Sequence, residues 1–146
     1  MSMDISQVKE TLRTRLMEQP VRITAGVLIK CTTTSRLLLL LRPIGGENGN
    51  TWNLLSGGIE RGETTLDGLK REVNEELSID PNIIDYKYIG KEEVTRKNML
   101  FHYYQGFTLS EFIPTLDHEN RDYGWFTKDD LPSPLFPNAI FKINNI

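Results

Sequence analysis

Cysteine occurs once, at Cys31, and histidine twice, at His102 and His118, in a chain of 146 residues. One cysteine excludes an internal disulfide and suits a reducing compartment, so the chain reads as cytoplasmic. With so few thiols and imidazoles, and with the two histidines far apart in sequence, zinc is disfavoured as a resident metal. No serine or cysteine stands beside a histidine in a nucleophile pattern, which argues against a covalent intermediate. The first fifteen residues carry Asp4, Lys9, Glu10, Arg13 and Arg15, and read as neither a signal peptide nor a membrane span. Also missing are repeats, low-complexity tracts and a basic tail or stripe of the kind that grips a polynucleotide backbone, which argues against long nucleic acid as a partner.

What the chain has is ordinary material for one soluble domain, 38% hydrophobic and 25% charged, with an uneven placement of charge. The net charge is -3, and residues 57–79, GGIERGETTLDGLKREVNEELSI, hold six acidic and three basic residues, leaving 14 of each elsewhere. All of the acidic excess therefore sits in this stretch. Within it, Thr64 or Thr65 can cap a helix, and Asp67 stands three residues after Thr64 as in a capping box. Leu66, Leu69, Val73 and Leu77 follow at spacings of 3, 4 and 4, an apolar stripe that predicts a helix lying on a sheet. Glu72, Glu75 and Glu76 share the other side, where like charges one turn apart repel and call for a positive partner. A merely solvated acidic face would account for three glutamates taken alone. Clustered carboxylates on one helix face also suit a hard divalent cation that keeps open positions for phosphate oxygens and water, which favours magnesium.

The spacing of the whole stretch decides between these. Gly57, Glu63, Arg71, Glu72, Val73, Glu75, Glu76 and Ile79 resemble the Nudix box, Gx5Ex7REUxEExGU with U a bulky aliphatic, at every defined position except Ser78, where the pattern has glycine. The six fixed Gly, Glu and Arg positions would coincide by chance on the order of once in ten million windows. The flanks are similar too, with Trp52 before the box, and Glu119 followed by Trp125 after it.

The rest of the chain supplies strands and helices around the box. Residues 4–18 form an amphipathic pattern through Ile5, Val8, Leu12 and Leu16, predicting a helix within residues 1–20 that covers its own domain or joins two subunits as a homodimer. Strands are expected at 21–31, at 36–41 as a hairpin partner, at TWNLL (51–55), at 86–94, at 99–108 and at 123–127. A loop at 43–50 and a basic turn at Arg96, Lys97 and Asn98 separate some of them. A short C-terminal helix over 137–146 is expected to half-bury Ile140, Phe141 and Ile143. Strands interrupted by one long helix, with helices at both ends, predict an α+β fold, a mixed-sheet α/β/α sandwich of one domain spanning 1–146; the resemblance implies the Nudix fold in particular.

The resemblance also implies the site and the reaction. Magnesium, with manganese as a substitute, would be held by Glu72, Glu75, Glu76, the carbonyl of Ser56, and Glu119, near which Asp117 and Asp122 also stand. Glu72 or Glu75 would act as the general base. Gly57, Glu63 and Arg71 would support the box, the last two as a charge pair. The reaction would be attack of water on a phosphoanhydride of a nucleoside diphosphate linked to another group. A catalytically silent nucleotide-binding module of the same fold is the alternative. Candidate substrate contacts are Arg42, Lys97, Tyr123 and Phe136, with Lys91, Arg96 and Phe141 as further candidates, because cations meet phosphates and aromatic faces stack bases.

Overall fold

The structure, a computed structural model, describes residues 4–10, 21–46 and 48–146. Among them, seven strands form one sheet: β1 (Arg22–Cys31), β2 (Leu37–Leu41), β3 (Trp52–Asn53), β4 (Leu55–Gly58), β5 (Asp85–Val94), β6 (Met99–Thr108) and β7 (Asp122–Phe126). Helix α1 (Thr65–Leu77) lies between β4 and β5 in the chain, and helix α2 (Pro137–Asn144) follows β7. The expected helix within 4–18 is seen only at residues 5–10, where Ile5 and Val8 are exposed; residues 11–18 lie outside the described residues.

Strand β1 is the axis of the sheet. One edge pairs in parallel with β6 from Arg22↔Met99 to Cys31↔Thr108, and β6 pairs antiparallel with β5. On the other edge the expected β1–β2 hairpin holds only at Ile29↔Leu38 and Lys30↔Leu37. Beyond it the two strands part, and the chain 52–58 fills the gap: β3 pairs with β2, and β4 pairs with β1 from Val27↔Leu55 to Thr24↔Gly58. The single strand expected at TWNLL is therefore two, because its halves serve different neighbours. Between them, Asn53 Oδ1 accepts from the Leu54 N–H at 2.8 Å.

Side chains alternate across this sheet to build two cores. Ala25, Val27, Ile29, Leu38 and Leu40 point to the face covered by α1 through Leu69, Val73 and Leu77. Leu28, Leu37, Leu39, Phe101 and Tyr103 point to the face covered by α2 through Ala139 and Ile143. Covering on both faces explains why β2 is an unbroken leucine run with all five residues buried.

Helix α2 departs from its expected polarity. Ile143 is buried, but Ile140 and Phe141 are 46% and 69% exposed, while Lys142 is 2% exposed. The helix turns Ala139, Lys142 and Ile143 to the sheet, and the lysine is tolerated there because its charge meets Glu92 Oε1 at 2.8 Å and the rings of Phe101 and Tyr103 at 5.3 and 5.1 Å.

Candidate active site

The acidic stretch folds as a strand, a turn and α1. Thr64 caps the helix, its hydroxyl accepting from the Asp67 N–H at 3.1 Å, while Thr65 instead meets the Tyr104 hydroxyl at 2.7 Å. Ser78 ends the helix in the left-handed region, with φ 53 and ψ 41, its N–H donating to Asn74 O. Here the chain takes the backbone that a glycine adopts most readily.

Arg71 is the positive partner that the glutamates require. Its Nε and Nη2 donate to the two oxygens of Glu63 at 2.9 and 3.0 Å, and Nη2 also donates to Gly58 O at 3.0 Å. Through Nη1 it reaches Glu72 at 3.1 Å and Glu75 at 3.2 Å. One guanidinium thus ties β4, the turn and α1 together. Its hydrogen bond holds the Glu63 carboxyl below the usual range, with the Glu60 N–H assisting, and the contacts in turn raise the pKa of Arg71.

Glu76 lies one turn further along, out of Arg71's reach. It is 3% exposed rather than facing solvent, with Asn120 of the loop before β7 packed against it. Its Oε1 accepts from Asn120 Nδ2 at 3.0 Å, and its Oε2 is buried without a hydrogen-bond partner. Burial first, then the charge of Glu72, pushes its pKa up to about 8; the Asn120 hydrogen bond opposes this, and Asp117 adds to it. Burial likewise raises Glu72, against the pull of Arg71. The Glu76 carboxylate, without a cationic partner and with an orphaned oxygen, stands with Glu72 as a donor set that fits a divalent cation. Among the described residues no group of three or more His, Cys, Asp or Glu side chains is placed to hold a metal ion by itself.

A cleft of about 410 Å³ opens beside these carboxylates. Ser56, Gly57, Glu72 and Glu119 line its box end, and Arg42 stands there 3.9 Å from Glu119. Strand register sets the floor: Gly58, Thr24, Phe101 and Glu92 form one row across β4, β1, β6 and β5, on the face that α2 covers. Arg22, Arg96 and Lys97 line the rim, and Phe136 and Asn138 come from the start of α2.

Of the substrate contacts expected from sequence, Arg42, Lys97 and Phe136 line this cleft, as does Arg96. Tyr123 does not. It pairs with Leu40 and packs on the cluster beneath α1, the opposite face of the sheet from the cleft. Phe141 and Lys91 line a second hollow on the far side of Glu92. Of the proposed metal-site residues, Ser56, Glu72 and Glu119 line the cleft, Glu76 is buried, and Glu75 keeps a side chain 51% exposed on Arg71. His118 Nε2 lies 3.3 Å from Glu119, and His102 Nδ1 meets the Tyr88 hydroxyl at 3.0 Å. Sequence reasoning missed Asn120, Glu92, Asn53 and Asn138. Asn120 follows Glu119 directly, but nothing in the sequence says that it turns inward to Glu76.

Comparison with known proteins shows the family and the fold. The NUDIX domain family matches residues 20–144. The chain is 28% identical over 107 residues to a CTP pyrophosphohydrolase of Escherichia coli strain K12, covering 72% of this chain and 77% of that protein. It is 30% identical over 120 residues to the NAD-capped RNA hydrolase NudC of Pseudomonas syringae pv. tomato, covering 80% of this chain but only 40% of that longer protein. Among solved structures, a MutT NUDIX hydrolase from Burkholderia pseudomallei superposes with a TM-score of 0.70 at 21% identity, covering 88% of this chain and 99% of its own.

Proposed function

Because the chain belongs to the Nudix family, we propose that it is a magnesium-dependent pyrophosphohydrolase that splits a phosphoanhydride bond in a nucleoside diphosphate derivative. The observation that carries this reading is the Glu76 carboxylate, buried beside Glu72 with Oε2 unpartnered. A carboxylate is costly to bury without a counter-charge, and a cation shared with Glu72 would supply it.

Glu72, Glu75, Glu76 and the carbonyl of Ser56 would hold the metal at the box end of the cleft, with Glu119 reaching in from its loop. When bound, magnesium neutralises phosphate oxygens and lowers the pKa of a coordinated water. Glu72 or Glu75 would accept the proton of the attacking water. Arg71 holds both glutamates by hydrogen bonds, so their spacing is set before substrate arrives. Arg42, beside Glu119, is placed to meet a phosphate oxygen, and Phe136 gives the cleft an aromatic wall.

CTP, the substrate named for the Escherichia coli relative, makes nucleoside triphosphates the first class to test. The experiment is a magnesium-supplemented screen of nucleoside triphosphates, nucleotide sugars, ADP-ribose and dinucleoside polyphosphates. Products are identified by mass, and oxygen-18 water identifies the phosphorus attacked. Release of a nucleoside monophosphate that requires magnesium supports the reading. Tight binding without turnover in that screen would support a silent binding module instead, a reading favoured by one observation, that Arg71 already occupies Glu72 and Glu75. Cleavage of non-nucleotide diphosphates only would overturn the nucleotide preference and leave the hydrolase.

A further inference from the structure

We propose that Glu92 selects the base, accepting a hydrogen bond from an exocyclic amino group at the far end of the cleft, and that Lys142 is the positioning residue that holds it there. The proposal rests on the nucleotide reading above. It assigns the substrate class as nucleotides with an amino-bearing base, such as cytosine or adenine, in preference to their oxo counterparts.

Placement comes first. The row Gly58, Thr24, Phe101 and Glu92 crosses four adjacent strands, three interstrand steps or about 14 Å from the box to Glu92. That span leaves room for a sugar and one base beyond a metal-bound phosphate. Phe101, 8% exposed, stands in the row between the two ends and contributes an apolar strip to the floor of the cleft. The row itself carries no cation: Arg22 is in the next row, opposite Met99, and Arg96 and Lys97 follow β5. Glu92, already paired with Lys142, presents its carboxylate at this end of the row, which suits a neutral, hydrogen-bonding group better than a phosphate.

Glu92 is fixed although it lies on the surface. Its Oε1 accepts from Lys142 Nζ at 2.8 Å, and its Oε2 lies 3.5 Å from Asn138 Nδ2, the limit of a hydrogen bond. Lys142 cannot swing away, because it is 2% exposed between the rings of Phe101 and Tyr103. Were Glu92 only the counter-charge of that lysine, its carboxylate would be used up behind the wall. Instead its side chain is 45% exposed and lines the cleft, leaving lone pairs open toward the site. An ionised carboxylate accepts and cannot donate. It therefore favours an amino N–H and repels the carbonyl oxygen that uracil or hypoxanthine presents at the corresponding position.

The test is calorimetric binding of non-hydrolysable α,β-imido triphosphates with magnesium, comparing cytidine with uridine and adenosine with inosine. Wild type should bind the amino member of at least one pair about tenfold or more tightly, the size expected for a hydrogen bond to a charged group. Glu92→Gln, whose amide can also donate, should reduce that ratio to about threefold or less. Lys142→Met should reduce it too, whereas a purely structural lysine would weaken both members equally and leave the ratio as it was. Should Glu92→Gln fail to fold with Lys142 unpaired, the double variant Glu92→Gln/Lys142→Met removes both charges together and gives the same readout. Equal affinities within both pairs, or a ratio unmoved by these substitutions, would overturn the proposal. Hydrolysis of all four parent triphosphates at equal efficiency would overturn it while leaving the hydrolase reading intact. Measurable discrimination in binding without hydrolysis would do the reverse.

Discussion

A Cβ added to Gly57 would lie 2.6 Å from Glu72 Oε2, so the backbone of β4 and the carboxylate of α1 touch at a position where the box has no side chain. Gly57 leaves the space that Glu72 occupies. Gly57→Ala should therefore push Glu72 from its place while the sheet, whose pairing uses only backbone, survives. We expect a folded protein whose turnover falls at least about tenfold, since small misplacements of a reacting group are costly. Circular dichroism and steady-state kinetics check this; near-normal turnover would show that Glu72 need not sit there.

Removing a proposed metal ligand should act on chemistry far more than on folding. Glu76→Gln and Glu75→Gln are each expected to lower turnover at least about a hundredfold, through lost charge stabilisation in the transition state. At position 76 the amide can still accept from Asn120, while its nitrogen replaces the orphaned oxygen. In EDTA, Glu76→Gln should thus melt above wild type, and magnesium should stabilise wild type more than the variant. A Glu76→Gln enzyme with ordinary activity would remove this glutamate from the site.

The pH dependence of metal-free stability follows from the same carboxyl. Burial pushes its folded pKa up to about 8 from the ordinary value of 4.5, so between those values the folded protein holds a proton that the unfolded chain has released. Stability must then fall as pH rises across that window and be regained as pH is lowered. Melting temperatures in EDTA at intervals from pH 5 to 8 should show wild type losing stability relative to Glu76→Gln as pH rises. A constant difference would show that Glu76 is ionised throughout.

The box and its helix were legible because their signals are local. Thr64, the stripe of Leu69, Val73 and Leu77, and the carboxylates on the other side are set by helical spacing, and the helix forms where the pattern places it. Glu76 was legible as a ligand candidate but not as a buried one, since its burial depends on Asn120 from a loop far along the chain. The cleft was hidden for a related reason. Which residues share its floor is fixed by the register of β5, β6, β1 and β4, so nothing in the sequence singles out Glu92 or places Phe101 beside it. The C-terminal helix was misleading in the opposite sense, because Ile140 and Phe141 turn outward while Lys142 turns inward beside Ile143, an inversion explained by its contacts with Glu92, Phe101 and Tyr103.

Two glutamates of the turn should separate sharply. Glu60 approaches Arg71 no closer than 3.8 Å with its side chain 70% exposed, whereas Glu63 makes the bidentate contact and also accepts from the Glu60 N–H at 2.8 Å. Glu60→Gln should shift the melting temperature by no more than about 1–2 °C, in line with other exposed sites. Glu63→Gln should cost more in both stability and turnover. Arg71→Lys should lose about tenfold or more in turnover, because one ammonium cannot hold Glu63, Glu72 and Gly58 O together. Equal melting temperatures for the two glutamine variants would contradict the role given to the Glu63 to Arg71 pair.

Ser78 offers the opposite kind of test, a substitution expected to improve the protein. The residue sits at φ 53 and ψ 41, where a Cβ crowds the neighbouring carbonyl, and it is exposed, so its hydroxyl is not needed for packing. The turn is held by other means: the Ser78 N–H donates to Asn74 O, Asn74 Nδ2 to Ile79 O, and the Thr115 N–H to Leu77 O. None of these uses the serine side chain. Ser78→Gly should relieve about 1 kcal/mol of left-handed strain, partly offset by the greater freedom of glycine in the unfolded chain. The net expectation is a rise in melting temperature of about 1–3 °C with turnover unchanged, since the residue touches neither the carboxylates nor the cleft. Thermal denaturation beside kinetics decides it. A fall in melting temperature would mean that the serine contributes to the turn after all, and a change in turnover would mean that the end of α1 communicates with Glu76 two residues before it.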